Sequence, residues 1–332
     1  MRFTVVNALF ILLTGVVLLL FCADLAVGSV SIPLNYVWAA LSGGECPEAM
    51  SRIVLDIRLI KALVAILVGS ALSVSGLQMQ TLFRNPLAGP YMLGISSGAS
   101  LAVALLIIGA PVIGVGMVSS PVGIAGAAWI GSAAVLLVIA AVGQRIKDIM
   151  VILILGMMIS SGISAVVQIL QYLSREDSLK TFVVWTMGSL GDVSFLQLPV
   201  MAGAILIGIL LSIMTIKPLN MLLFGEEYAR TMGLNIKKSR LLLFTSTTLL
   251  AGTATAFCGP IGFIGIAMPH ITRMIFKESN HKVLVPGTIL TGAAMLLACD
   301  IIAKLFTLPI NAITALVGIP VVVWIVIRCK QL

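Results

Sequence analysis

The stretch FRNPLAGPYMLGISSGAS, residues 83–100, decides how this chain can fold. It holds two prolines, three glycines and three serines in eighteen residues, and it lies between two long apolar runs. Proline has no backbone N–H and breaks a helix, so Pro86 and Pro90 predict an interruption between two helices. Irregular backbone at membrane depth is tolerated only where protein or a water-filled cavity covers it. The stretch therefore predicts a helix break and re-entry inside a membrane protein.

The composition around this stretch is that of a chain solvated by lipid. Of its 332 residues, 60% are hydrophobic and 10% are charged, whereas soluble domains carry about 25% charged residues. A transmembrane helix needs roughly 20 apolar residues. We therefore expect an all-α polytopic protein, a single transmembrane domain over residues 1–332, with ten spans near 7–27, 61–82, 91–110, 121–143, 149–172, 197–216, 239–257, 261–275, 285–303 and 311–328.

The distribution of positive charge predicts the orientation of these spans. Ten spans place both termini on one side of the membrane. If that side is the cytoplasm, 14 of the 20 Lys and Arg residues lie inside and 6 lie outside, as the positive-inside rule requires. The net charge of +8 then reflects this asymmetry rather than nucleic-acid binding. We expect a multi-pass protein of the bacterial cytoplasmic membrane with both termini in the cytoplasm.

The sequence lacks the motifs of catalysis and of cofactor binding. No phosphate-binding GxxxxGK[ST], HExxH or nucleophile elbow occurs, and the five cysteines form no CxxC pair. We therefore expect no enzymatic activity, no cofactor and no metal site. Asp300 and Lys304 stand i,i+4 near the outer end of the ninth span, where a proton path and a local ion pair are both possible, and the ion pair is favoured.

Two short segments indicate an internal repeat. GSALSVSG at residues 69–76 and GTATAFCG at residues 252–259 share the pattern G-[ST]-A-x4-G. They lie in spans that run in opposite directions, so the match suits an inverted repeat, which is a common transporter design. The match is short, and coincidence explains it equally well.

Two polar segments are candidates for contacts with partners. Residues 217–240 are predicted to form two short amphipathic helices broken at Gly233, which either dock into a soluble partner or remain a solvated loop. On the outer surface we expect Arg58, Lys61 and Lys304. These cations either snorkel at the interface or contact an acidic external partner.

Four further blocks stand in order along the chain: DIRLIKALVAILVGSALSVSGLQMQTLFRNPLAGPYMLGISSGAS (56–100), LLFGEEYARTMGL (222–234), CGPIGFIGIAMPHITRMI (258–275) and ACDIIAKL with LPINAITALVGIPVVVWIV (298–326). Together they resemble the ABC importer permeases for iron–siderophore complexes, haem and cobalamin. The resemblance covers the chain from about residue 30 onward. It implies a fold similar to the cobalamin importer permease, a homodimer, two cytoplasmic ATPase subunits and an external solute-binding protein.

The resemblance also assigns roles to individual residues. The family's R-L-P-R block reads RLIK here, which puts Arg58 and Lys61 at positions that dock the binding protein, and Lys304 aligns with a further docking arginine. Lysine keeps the charge but loses the bidentate fork of arginine. The matching positions in the segment that couples to the ATPase are Gly225, Glu226, Glu227, Ala229 and Gly233.

The translocation path is predicted from small residues in the third and fifth spans. By resemblance the fifth span lines the path with the tenth, and its candidates are Gly156, Ser160 and Ser161. Ser96 and Ser97 open the third span beside the helix break. The alternative is simple packing, because small residues let transmembrane helices approach closely.

Together these features predict the permease subunit of an ATP-driven metal-chelate importer that works by alternating access. Its partners are the ATPase, the binding protein, a second copy of itself and membrane lipid, with no nucleic acid. Ferric siderophore is the predicted cargo, and haem or cobalamin on the same machinery is the alternative. An ion-coupled secondary transporter is disfavoured, because no acidic residue lies at the centre of a predicted span.

Overall fold

The computed structural model describes residues 2–28, 30–109, 120–143, 145–146 and 148–329. These residues form helices and turns and contain no β-strand. Their α-helices are α1 (Arg2–Ala26), α2 (Leu34–Ser42), α3 (Glu48–Arg52), α4 (Ile60–Leu82), α5 (Ile95–Ala104), α6 (Pro121–Gly143), α7 (Ile149–Tyr172), α8 (Glu176–Thr186), α9 (Leu198–Met214), α10 (Ile216–Leu222), α11 (Glu226–Thr231), α12 (Ile236–Cys258), α13 (Ile264–Phe276), α14 (His281–Phe306) and α15 (Ile310–Cys329).

The helices are compatible with about ten spans. Five of those described, α1, α6, α7, α12 and α14, are each long and apolar enough to cross a membrane, and α9 with α10 makes a sixth span bent by 50°. The three shorter apolar helices are Ile95–Gly109, which begins with α5, then α13, and Ile310–Trp324, which is part of α15. The remaining candidate span is α4, which has 23 residues and is buried along most of its length. Residue 110, the last of the predicted third span, lies outside the described residues, as do residues 1 and 330–332.

Helix α4 forms the centre of the bundle because small residues let its neighbours come close. It packs against α12, α13 and α14. A Cβ atom added to Gly69 would lie 2.8 Å from the carbonyl carbon of Gly292 on α14. Gly76 makes a similarly close approach to the backbone of Gly265 on α13. Van der Waals packing across such glycine contacts is what holds helices together in lipid, where apolar burial supplies little.

The contacts of α4 and α12 support the inverted repeat. Helix α4 packs on α13 and α14, and α12 packs in the same way on α5 and α6. Helix α5 also contacts α6 and α7, and in the corresponding way α13 contacts α14 and α15. Gly69 and Gly252, the first glycines of the two matching segments, both face the longer of these partner helices, Gly292 on α14 and Ser132 on α6.

The stretch that follows α4 is a partly buried helix break, as the prolines predict. Helix α4 ends at Leu82, a 3-10 turn spans Pro90–Leu93, and α5 begins at Ile95 after Gly94 at φ +78°. Helix α13 lies against this break, with a ring nitrogen of His270 2.7 Å from the carbonyl oxygen of Pro86. Protein buries Ala88, Gly89 and Pro90 in the second half of the break, whereas Pro86 and Leu87 in the first half are exposed.

The segment 217–240 differs from its prediction. Its two short helices are α10 and α11, and the break between them lies at Gly225, where φ is +99°. The predicted break at Gly233 is present, with φ +85°, but it separates α11 from the long helix α12 rather than two short helices. The break at Gly225 was not predicted. Both glycines are needed for their backbone angles, since a positive φ is unfavourable for residues with a Cβ atom.

Candidate coupling and docking sites

The predicted partner contacts lie at opposite ends of the bundle. One end, here called the Glu226 end, contains α10, α11, the start of α12 and the start of α14. The other, here called the Lys304 end, contains the end of α1, the start of α4 and the end of α14. The structure thus separates the predicted coupling residues from the predicted docking residues by the length of the spans.

At the Glu226 end, α11 is fastened to α12 by a two-point ion pair. Arg240 Nε donates to Glu226 Oε1 at 2.9 Å, and Arg240 Nη2 donates to Glu226 Oε2 at 2.5 Å. Arg240 Nη1 also donates to the carbonyl oxygen of Ile146, between α6 and α7, at 3.1 Å. A bidentate arginine–carboxylate pair restricts orientation as well as distance. The pair therefore holds α11 in a fixed orientation against the start of α12.

The other predicted coupling residues divide into buried supports and an exposed contact. Ala229 is fully buried under α11. Glu227 points outward, with a side chain 89% exposed and 3.9 Å from Arg230. Neighbouring Phe224 and Tyr228 are exposed, and their rings are tilted by 50° with 5.6 Å between centroids. This outward face of α11 is accessible to another protein, whereas the Glu226 side chain is engaged by Arg240 of the same chain.

At the Lys304 end, Arg58 caps the first helix. Its Nη1 donates to the carbonyl oxygens of Leu25 and Ala26 at 2.8 and 2.9 Å, and Nη2 donates to that of Val30. The last carbonyls of a helix have no partner within it, so this guanidinium satisfies them. A Cβ atom at Gly28 would lie 2.7 Å from Arg58 Nη2, so a larger residue there would have to displace the guanidinium.

A network of four charges joins α1, α4 and α14 beside this cap. Lys304 Nζ lies 2.7 Å from Asp24 Oδ2 and 2.9 Å from Asp300 Oδ2, and Lys61 Nζ lies 3.0 Å from Asp300 Oδ1. The two carboxylates are buried and the network is neutral overall. Buried charges are tolerated when they are paired in this way. The local ion pair of Asp300 with Lys304 is thus present, as part of a larger set.

The three predicted docking cations are less exposed than expected. Arg58 is 3% exposed, the Lys304 side chain 8% and the Lys61 side chain 23%. The expectation that all three lie on the surface is wrong for Arg58 and Lys304, because carbonyls and carboxylates inside the chain engage them. Asp24 was missed, although a single acidic residue near the end of an otherwise apolar span is a signal for a buried partner.

The residues predicted for the path lie beside the helix break. A Cβ atom at Gly156 on α7 would lie 2.8 Å from the carbonyl oxygen of Met92, so this glycine packs against the 3-10 turn. Ser160 donates to the carbonyl oxygen of Gly156 at 2.8 Å and is half-buried. Ser161 lies on the exposed face of α7.

The start of α5 completes this small-residue surface. Ser96 and Ser97 are both half-buried there. Helix α7 contacts α5 and the 3-10 turn. The structure therefore brings both groups of predicted path residues together on neighbouring elements, with Ser161 facing away from the break.

The long apolar helices, the repeated contact pattern and the helix break after α4 are features of a multi-pass membrane transport protein. Comparison with known proteins gives the family: residues 16–328 match the FecCD transport family, and the chain belongs to it. The hemin transport system permease protein HmuU of Yersinia pestis is 36% identical over 330 residues, covering 97% of this chain and 95% of the relative. The vitamin B12 import system permease protein BtuC of Shigella boydii is 35% identical over 300 residues, 89% of each chain.

A solved structure agrees with these relatives. It shows an inward-facing conformation of a metal-chelate type ABC transporter, and it superposes with a TM-score of 0.83 at 26% identity, covering 97% of this chain and 99% of that one. The chain is thus the permease subunit of an ABC importer, which implies ATPase and binding-protein partners. Its family is one of transport permeases rather than of catalytic enzymes.

Proposed function

We propose that this permease imports an iron chelate and that haem is the favoured cargo. The observation that supports haem is the 36% identity to a hemin permease over 97% of this chain. The sequence alone predicts a ferric siderophore, which is the second candidate. Cobalamin is the third, because permeases named for vitamin B12 are about as similar over 84–89% of the chain.

Transport in a reconstituted system tests the cargo. The permease is placed in proteoliposomes with its ATPase and binding protein, and ATP-dependent uptake of haem, a ferric siderophore and cobalamin is measured in parallel. We expect haem uptake to exceed the other two. Siderophore or cobalamin uptake above that of haem would reassign the cargo, and no uptake of any of them would overturn the proposed cargo class.

We further propose that the Glu226 end faces the cytoplasm and that the outward face of α11 contacts the ATPase. Support comes from the exposed Glu227 beside exposed aromatic rings, and from the charge asymmetry of the loops. Glu227→Lys is expected to reduce co-purification of the ATPase. Glu278→Lys, at the same end but outside α11, serves as the control. Equal co-purification with Glu227→Lys would refute the contact.

The docking role predicted for Arg58, Lys61 and Lys304 becomes a narrower proposal. We propose that Lys61, the most exposed of the three, meets an acidic group of the binding protein, and that Arg58 and Lys304 hold the surrounding surface in shape. Lys61→Glu should weaken binding and its salt sensitivity, while Lys180→Glu, an exposed lysine on α8, should not. The same affinity for both variants would exclude Lys61.

We also propose that residues 1–332 form one transmembrane domain that pairs with a second copy through α7. Its exposed face carries Met157, Met158 and Ser161, a continuous surface without a partner helix among the described residues. The path would run along this face. Ser161→Cys is expected to cross-link two copies in membranes, whereas Val122→Cys, on the exposed start of α6, is not. Cross-linking only at position 122 would place the dimer elsewhere.

A further inference from the structure

A basic cavity opens at the Glu226 end between α6 and α12. Its volume is about 380 Å³, within the range of small-ligand sites. The walls come from the last turn of α6, the connection to α7, α11 and the first two turns of α12. Six lining residues are apolar or glycine and five are cationic, and none is acidic: Ala140, Gly143, Arg145, Ile146, Arg230, Ile236, Lys237, Lys238, Arg240, Leu241 and Phe244.

Most of the positive charge in this cavity is not neutralised by the protein. Arg240 is paired with Glu226, and Arg230 lies 3.9 Å from Glu227. Among the described residues, no carboxylate oxygen lies within 4 Å of the cationic groups of Arg145, Lys237 or Lys238. These three side chains are exposed at the cavity's edge. A cluster of cations without counter-charges lowers the free energy of any anion that enters.

The apolar part of the cavity indicates what kind of anion enters. Phe244 is buried at its inner wall, and Leu241 is exposed on the outer side of the spanning helix α12. The cavity therefore continues from a charged rim onto a surface that lies at membrane depth. Free phosphate would use the rim alone, whereas a phospholipid would use both, with its phosphate at the cations and its chains along α12.

We infer that this cavity binds the headgroup of an anionic phospholipid. Basic pockets between transmembrane helices on the cytoplasmic side bind lipid headgroups of this class. Arg145, Lys237 and Lys238 supply the phosphate contacts, and the apolar wall receives the glycerol and the first carbons of the chains. Because Arg240 lines the same cavity and holds Glu226, the bound lipid lies directly against the joint between α11 and α12.

The test uses the full chain in complex with its ATPase, in detergent, titrated with dioctanoyl phosphatidylglycerol and followed by native mass spectrometry. The cavity variant is Arg145→Gln/Lys237→Gln/Lys238→Gln. Removing three cations, at about fivefold each, should weaken lipid binding on the order of a hundredfold. The matched control is Lys217→Gln/Lys277→Gln/Lys282→Gln, three exposed lysines at the same end outside the cavity, with an expected change below about threefold.

Four results would overturn the inference. Equal weakening in both triple variants would mean that general surface charge attracts the lipid. Equally tight binding of dioctanoyl phosphatidylcholine would mean that the acyl chains bind alone. Competition by inorganic phosphate at the same concentration would indicate a site for free anions. Binding to the isolated permease that disappears in the complex would make the cavity part of the ATPase contact. The thermal midpoint of each variant confirms that it folds.

Discussion

Lys304→Met tests whether the buried charges at the Lys304 end are an interdependent network. Lysine 304 is the only cation within 4 Å of Asp24 among the described residues, and it also contacts Asp300. Its loss leaves Asp24 buried without a partner, while Asp300 keeps Lys61. Methionine preserves most of the side chain's length, so the change removes charge more than volume.

The size of the effect follows from the burial of these groups. Removing one partner of a buried ion pair lowers the free energy of unfolding by about 3–5 kcal/mol. For a chain of this size we expect the thermal midpoint to fall by roughly 6 °C. Adding Asp24→Asn restores neutrality and leaves the Asp300–Lys61 pair intact. The double variant should therefore regain most of the loss, to within about 1 kcal/mol of the parent.

Thermal unfolding in mild detergent, followed by far-UV circular dichroism, measures all variants side by side. Lys180→Met, at an exposed lysine, is the control and should change the free energy by no more than about 0.5 kcal/mol. A loss below about 1 kcal/mol for Lys304→Met would refute the reasoning, because the pair would then contribute as little as a surface pair. A double variant as unstable as the single one would show that packing, not charge, causes the loss.

Three further substitutions test close contacts elsewhere. Gly28→Ala should displace the guanidinium that caps α1 and lower the free energy of unfolding by about 1–3 kcal/mol. Gly15→Ala is the control and should be neutral, because a Cβ atom there meets nothing within 4 Å. The thermal midpoints of the two variants are compared. Glu226→Gln should leave Arg240 with a neutral partner, and ATP-driven uptake should fall more than ATPase binding. Gly76→Ala should force α4 and α13 apart, and size-exclusion chromatography should show aggregated or poorly expressed protein.

Features set by neighbouring residues were predictable from the sequence. The prolines of residues 83–100 predict the helix break because each lacks a backbone donor wherever it stands. The bounds of α6 and α7 match the predicted fourth and fifth spans. Helix α12 begins at Ile236 rather than at 239, because the Asn235 side chain caps it by accepting from the backbone N–H of Lys238. A hydropathy pattern alone does not reveal this cap, because asparagine is simply counted as a polar residue.

Features set by distant residues were not predictable. Lys304 and its partner Asp24 are 280 positions apart, and no periodicity connects them. Arg58 is engaged by backbone carbonyls, which leave no trace in the identity of the residues that carry them. An exposed cation and a buried one therefore look alike in sequence, and only the fold distinguishes them. The same holds for Glu226 and Glu227, adjacent carboxylates with opposite orientations.

The pair between Glu226 and Arg240 joins the start of α12 to α11, so a tilt of α11 would tilt α12. Helix α12 has 23 residues, so at 1.5 Å per residue it is about 35 Å long. A tilt of about 5° imposed at α11 would displace the far end of α12 by about 3 Å. Because α12 runs against α4, α6 and α9, that displacement is applied to several spans together. A small tilt of α12 at the Glu226 end would therefore shift several helices together at the opposite end of the bundle.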